Sequence, residues 1–365
     1  MNNIQHFKDL RQFYLKRNLH NIWGFQKDFE IGLAYSRGLI ISNPKPTFKS
    51  ISIETGIKVI AFSDLLSQEL NYWEITQLFE KEIELLNDDG ELALDEVIIP
   101  KENTTKMDAH IVHCSSQKRR LLGQEYLVLI WIKDNKTVVI NVVMAHKGDE
   151  RLKISINMIE NFLKSGKKIK GLRADGWFFK ENFVKNLREL KLGLISRPRK
   201  DGDWWLGNKE VKLKNYAPTI GKDSFHYYSN EKLYAKAIIV SNQKYHTCKV
   251  VIVKPKYGSK PEDYIFIVST NPNLTVREII AGKKARWKIE VVFRDCSQNL
   301  GLKSCQARKG ASKAHVAMVF LTYNYLSSIK EKEGGTIGKI KRKIIKSCEP
   351  LPTKVLGYNE NRKVA

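Results

Sequence analysis

Two aspartates and a glutamate carry the chemistry this sequence suggests. Asp95 closes the run ELAL and Asp175 closes KIKGLRA, so each sets a carboxylate at the end of an apolar, strand-like segment. Taken alone, either also fits a turn or a helix-capping aspartate. Glu290 lies in ARWKIEVVFRDCSQNLGLK, where Ile289, Val292, Phe293, Cys296 and Leu300 form one apolar helical stripe. At 3.6 residues per turn, Arg286, Glu290, Arg294 and Ser297 share an arc of about 80° beside that stripe. A glutamate between arginines at i−4 and i+4 fits a surface ion-pair ladder. It also fits a metal-binding carboxylate beside a cation that grips phosphate. Carboxylates at strand ends hold hard divalent cations, which catalyse phosphodiester displacement by activating the attacking oxygen and stabilising the leaving one.

The elements that must position these residues follow from periodicity. ELALDEVII, EYLVLIWI (125–132) and TVVINVVM (137–144) read as strands, the last two forming a hairpin across KDNK. A helix at 151–164, the strand ending at Asp175, a helix at 178–190 and the strand GLIS complete a mixed α/β sheet. Residues 196–270 read as a β-rich insertion, and long helices follow at about 275–300 and 312–330. Residues 1–88 read as a separate all-helical domain. Its signs are a turn-rich PKPTFKSISIETGI, a helix start at Ser63 and apolar periodicity in 62–70 and 73–86. Short helices with tight turns suit either a helix-turn-helix-like DNA-binding module or a plain helical cap. The tail 331–365, including KIKRKIIK, reads as a mobile, solvated charge run.

Composition names the partner class. The 365 residues hold 63 Lys and Arg against 39 Asp and Glu, a formal net charge of +24, which favours nucleic acid over membrane surface. The five cysteines form no CxxC pair, so reduced thiols are expected rather than a disulfide framework or zinc site. His110 and His113 in HIVH suit a strand or loop, not a zinc helix. KENTTK and GYNENRK lack a phosphate-loop pattern, so no nucleotide cofactor is expected. With no apolar h-region at the N-terminus and no window of the ~18 apolar residues a span needs, the expectation is a cytoplasmic, DNA-associated protein.

Three segments carry a resemblance: LDEVIIPK around Asp95, LRADGWF around Asp175, and RWKIEVVFRDCSQNLGL around Glu290. Together they resemble DDE transposases of the IS4-like superfamily of bacterial insertion sequences. The resemblance implies a ribonuclease-H-like catalytic core at 89–195 and 271–330, interrupted by the β-rich insertion. The 115 positions between Asp175 and Glu290 fit the family's habit of inserting a β-domain there. It further implies that Asp95, Asp175 and Glu290 bind two Mg2+ ions, with Mn2+ as a substitute, and that a homodimer bridges two DNA ends.

The glutamate signature of that family runs tyrosine, arginine three on, glutamate four further and lysine seven further. Here Arg286 and Glu290 match, while Lys283 and Ser297 replace the tyrosine and lysine, and Glu96 and Val97 replace the usual residues after the first aspartate. Arg286, Arg294, Lys101, Lys288 and Lys303 are the implied DNA contacts near the carboxylates. In the insertion, Trp204 and Trp205 are candidates to stack on a displaced base, with Arg197, Arg199 and Lys200 on the backbone beside them. One of the two tryptophans is equally suited to the core. Two other readings stay open: a metal-dependent nuclease of the same fold, and an inactive DNA-binding descendant of a transposase.

Overall fold

The computed structural model describes residues 3–22, 26–42, 46–68, 79–101, 109–114, 119–304 and 310–347. It opens with helices α1 (Asn3–Leu15), α2 (Leu19–Ile22), α3 (Gln26–Ile41), α4 (Phe48–Thr55) and α5 (Val59–Ser67). Strands β1 (Gly90–Pro100), β2 (His110–Cys114), β3 (Arg119–Lys133) and β4 (Lys136–Ala145) follow, then α6 (Arg151–Leu163), β5 (Ile169–Ala174), α7 (Glu181–Glu189) and β6 (Leu194–Ser196). The next stretch supplies β7 (Asp203–Leu206), β8 (Lys209–Lys212), β9 (His226–Tyr228), β10 (Leu233–Asn242), β11 (His246–Lys254) and β12 (Ile265–Ser269). Helices α8 (Val276–Asn299), α9 (Gly310–Glu333) and α10 (Ile337–Lys346) complete the described chain.

The strands order as β4-β3-β1-β5-β6, with β4, β3 and β1 antiparallel and β1, β5 and β6 parallel. This is the ribonuclease-H-like arrangement. Residues of the insertion do not build a detached sheet. β12 pairs with β6 through Val268 and Ser196, and β11, β10, β7 and β8 extend the same sheet outward.

Alternation along β1 assigns the two faces. Leu92 and Leu94 join the core under α6 and α7, whereas Ala93, Val97 and Ile99 join the core under α8 and α9. Helix α8 begins at a capping box, with Thr275 and Glu278 exchanging side-chain bonds to each other's backbone N–H, and buries Ile279, Ile280, Ala285, Ile289, Val292 and Cys296. It crosses the sheet closely at Gly282, where a Cβ would stand 2.6 Å from both Arg173 Nε and Ile195 Cδ1. A residue without Cβ at this crossing sets how near the helix lies to β5 and β6.

Several expectations change. The N-terminal helices are not a separate module: Leu10, Phe29, Leu39 and Phe62 share one core with Ile289 and the α9 residues Val319 and Phe320. Tyr35 Oη lies 2.7 Å from His315 Nδ1 across that boundary. Helix α5 starts at Val59 rather than Ser63, because Gly56, at φ 72°, ends α4 in a left-handed turn and the chain re-enters a helix within three residues. The helix, glycine turn, helix geometry of α4 and α5 is present. Its exposed residues include Lys49, Ile53, Glu54, Lys58, Val59, Ile60, Asp64 and Ser67, a mixture of basic, acidic, polar and apolar side chains.

The tail expectation is corrected over 337–346, which forms α10 with Ile337, Ile340, Lys341 and Ile344 buried. The helical reading of 73–86 lies partly outside the described residues, as do residues 102–106 of KENTTK, the GYNENRK segment, Cys305 and Cys348.

Candidate active site

The last matched pair of the parallel β1–β5 ladder is Leu94 with Ala174, so Asp95 and Asp175 leave adjacent strands at one level. Strand alternation places both on the α8 side, since Ala174 and Leu94 face the opposite core. Asp175 caps a short 3-10 turn, its Oδ1 accepting from Gly176 N at 2.7 Å. Its carbonyl accepts from Ser196 Oγ at 2.9 Å, and Gly176 packs so near the Arg197 carbonyl that a Cβ would stand 2.9 Å from that oxygen. The end of β6, and with it Arg197, is thereby drawn against the second aspartate.

Helix α8 brings the third carboxylate. Arg286 Nη1 donates to Asp95 Oδ2 at 3.0 Å, and its Nη2 donates to Glu290 Oε1. One guanidinium therefore bridges the first and third carboxylates. Burial pushes the Asp95 carboxyl up to about 7; Arg286 and the Glu96 N–H pull the other way, and the charges of Asp175 and Glu96 add to the rise. Glu290 stays 44% exposed at its side chain. Among the described residues no three His, Cys, Asp or Glu side chains close into a metal-binding cluster. Arg286 supplies the positive charge between Asp95 and Glu290. The donor set is nonetheless all carboxylate oxygen, the kind that hard divalent cations take.

Other candidate residues divide by burial. Arg197, Arg199, Lys200, Arg294 and Lys303 are exposed. Lys101 is 2% exposed at the end of β1 and presents no cation to the surface. Lys288 donates to the Asp134 carbonyl in the β3–β4 turn, so its ammonium is already engaged. Trp204 is 2% exposed, stacked with Phe179 and Tyr245, while its neighbour Trp205 is 42% exposed. Lys283, in the tyrosine position of the signature, is held below the ordinary lysine range by burial and then by the charges of Arg197 and Arg286.

Two features escape a reading of the sequence. Trp287 is 56% exposed on the outward flank of α8, three residues before Glu290, with the Arg294 guanidinium 5.7 Å from its ring centroid. An aromatic followed by arginine seven residues later on one helix flank was the available signal. On the reverse face of β1, Glu96 meets Glu125, which takes Arg151 at 2.6 Å and lies 3.8 Å from His110 Nε2. Burial, followed by Glu125, pushes the Glu96 carboxyl up to about 7. Pairing across strands decides that contact, and spacing within one segment does not show it. Cavities of about 710 and 580 Å3 lie against β3 and β4, and none of Asp95, Asp175 and Glu290 lines either.

The family model of the transposase DDE domain matches residues 107–325, more than half of the chain. The chain belongs to this family. Asp175 and Glu290 fall inside the matched span and Asp95 just before it. No curated protein sequence matches the chain. A cryo-EM structure of the piggyBac transposase synaptic complex with hairpin DNA matches the fold with a TM-score of 0.56. That match has 10% identity and covers 93% of this chain and 78% of that one.

Proposed function

We propose that this transposase cuts DNA at the ends of a mobile element and joins the freed ends to target DNA, with Asp95, Asp175 and Glu290 as the ligands of two divalent cations. Two observations support the reading: Asp95 and Asp175 leave adjacent parallel strands at one level, and Arg286 bonds to both Asp95 and Glu290. A guanidinium bound between Asp95 and Glu290 marks a place where a cation is stabilised. Mg2+, or Mn2+ in its stead, would there lower the pKa of an attacking water and stabilise the leaving oxygen.

The chain's own groups do the rest. Arg286, released from its carboxylates, and Arg294 reach phosphate on the Glu290 side, and Arg197 reaches it on the Asp175 side. Trp287 and Trp205 offer exposed rings for an unstacked base. On this reading residues 89–195 and 271–330 are the catalytic core and 196–270 its β-rich insertion. Residues 1–88 brace the core and bind DNA with it, and a homodimer on DNA coordinates two element ends. The net charge of +24 supports the duplex as partner. No described helix is long and apolar enough to cross a membrane. We place the protein with bacterial DNA in the cytoplasm.

The test is metal binding followed by nicking. Mn2+ titrated into wild-type protein loses its free-ion paramagnetic signal, and Asp95→Asn and Glu290→Gln each restore it. Undiminished Mn2+ binding in both variants, with nicking intact, rules out the proposed ligand set. Joining of cut ends to a second duplex then separates a transposase from a nuclease.

A further inference from the structure

Helix α10 is amphipathic in an unusual sense: its inner stripe includes a lysine and its outer one is almost wholly cationic. At 100° per residue, Ile337, Ile340, Lys341 and Ile344 occupy an arc of about 100°. Lys339, Arg342, Lys343 and Lys346 occupy an arc of about the same width on the opposite side. The first four are buried and the second four exposed. Lys341 fixes the orientation, its Nζ donating to the carbonyls of Leu39 at 3.3 Å, Ser42 at 3.1 Å and Asn299 at 2.5 Å. The helix is thus tied at once to α3 and to the C-terminal end of α8, and Thr336 caps its N-terminus.

An apolar stripe already packed in the core cannot enter a bilayer, so the outer face has only charge to offer. Lys343 pairs with Glu333, while Lys339, Arg342 and Lys346 have no ion pair among the described residues. Exposed Lys303, in the turn after α8, adds a cation at the same end of that helix. Asn299 lies nine residues beyond Glu290, about 14 Å at 1.5 Å per residue. That is roughly four base-pair steps of duplex. Asn299 leaves α8 on the side opposite Glu290 and its side chain lies against Gly338, so α10 packs on the other flank of α8 from that carboxylate.

We propose that the outward face of α10 is a second DNA-contact surface, on which Lys339, Arg342 and Lys346 hold duplex phosphates away from the bond that is cut. It rests on the reading that this chain works on DNA. The phosphate backbone is the complementary partner because three cations on a rigid helix neutralise phosphates without needing base sequence.

Salt dependence of binding tests this with the full chain. Anisotropy of a labelled 40-base-pair duplex of arbitrary sequence, measured across a KCl series without divalent metal, gives the slope of log affinity against log salt. K339Q/R342Q/K346Q is compared with K164Q/K168Q/K185Q, an equal loss of charge from exposed lysines at the end of α6, in the loop before β5 and on α7. The thermal midpoint of each variant verifies folding. The expected result is a slope shallower by about 0.9 for each phosphate no longer neutralised, so by about 2 to 3 for the α10 variant, with the control at the wild-type slope. An unchanged slope in the α10 variant, or equal shallowing in both variants, overturns the proposal. Wild-type protein that binds no duplex would instead overturn the DNA reading and this face with it.

Discussion

Arg286 competes with the cation that its carboxylate partners would bind. Its guanidinium bonds to both Asp95 and Glu290, so on the proposed reading a metal entering between them would have to break those bonds. In the absence of DNA, Arg286→Gln is expected to bind Mn2+ more tightly than wild type, on the order of tenfold for one charge-assisted bond removed. The same variant should bind duplex more weakly in the presence of metal. Parallel Mn2+ and DNA titrations check both, and looser Mn2+ binding in Arg286→Gln would show that the arginine supports the metal rather than opposing it. Among single residues, the arc that holds Arg286 and Glu290 was legible in the sequence, since helical spacing alone decides it. The inward turn of Lys101, the engagement of Lys288 by the β3–β4 turn and the meeting of Glu96 with Glu125 were not, because tertiary packing decides them. Adjacent tryptophans on a strand must face opposite ways, which is why Trp204 is in the core and Trp205 in solvent.

The placement of Glu290 depends on how α8 lies on the sheet, and Gly282 sets that approach. Gly282→Val forces a side chain into Arg173 and Ile195, so the helix must lift from β5 and β6. A stability loss of about 1–3 kcal/mol is expected from overpacking. Metal-dependent nicking should fall by more than the folded fraction does, because Glu290 moves away from Asp95. Urea denaturation and nicking measured on one preparation separate the two effects. The β-hairpin, the β5–α7–β6 unit and the long helix α8 were legible because each is a local pattern within one segment. Helix α10 was not, although Ile337, Ile340 and Ile344 have helical spacing, because the charge of KIKRKIIK outweighs three isoleucines in any reading of composition. The continuation of β6 into β12, β11 and β10 was equally hidden, since long-range pairing leaves no mark within a segment.

Across the whole molecule, the N-terminal helices share a core with α8 and α9, and His315 lies at their junction. Its Nδ1 faces Tyr35 Oη at 2.7 Å and its Nε2 faces the Gly301 carbonyl at 3.1 Å, which suits a neutral imidazole accepting from the tyrosine and donating to the carbonyl. Burial lowers its pKa to about 4, with the Gly301 hydrogen bond acting to raise it and Lys101 to lower it. Between about 6.5 and 4 the unfolded chain binds a proton that the folded chain refuses, so stability falls as pH drops through that window. Relative to pH 8, the His315 contribution at pH 5 is a loss of about 2 kcal/mol. Asp95 and Glu96, with carboxyls held near 7, act in the opposite sense. The comparison of wild type with His315→Gln by urea denaturation at both pH values therefore isolates the histidine. A variant with the same loss as wild type would show that His315 is not the group responsible.

If Glu290 completes a carboxylate set that excises DNA, excision inside cells must depend on it. A plasmid marker bounded by the DNA flanking this gene is supplied with wild-type protein or with Glu290→Gln, and excised product is counted. Removing a residue that only orients a metal ligand costs up to about 100-fold, so removal of a ligand itself should reduce excision by at least that much. Wild-type excision with little or none from Glu290→Gln is the expected outcome; equal excision by both proteins would show that Glu290 has no part in the cutting.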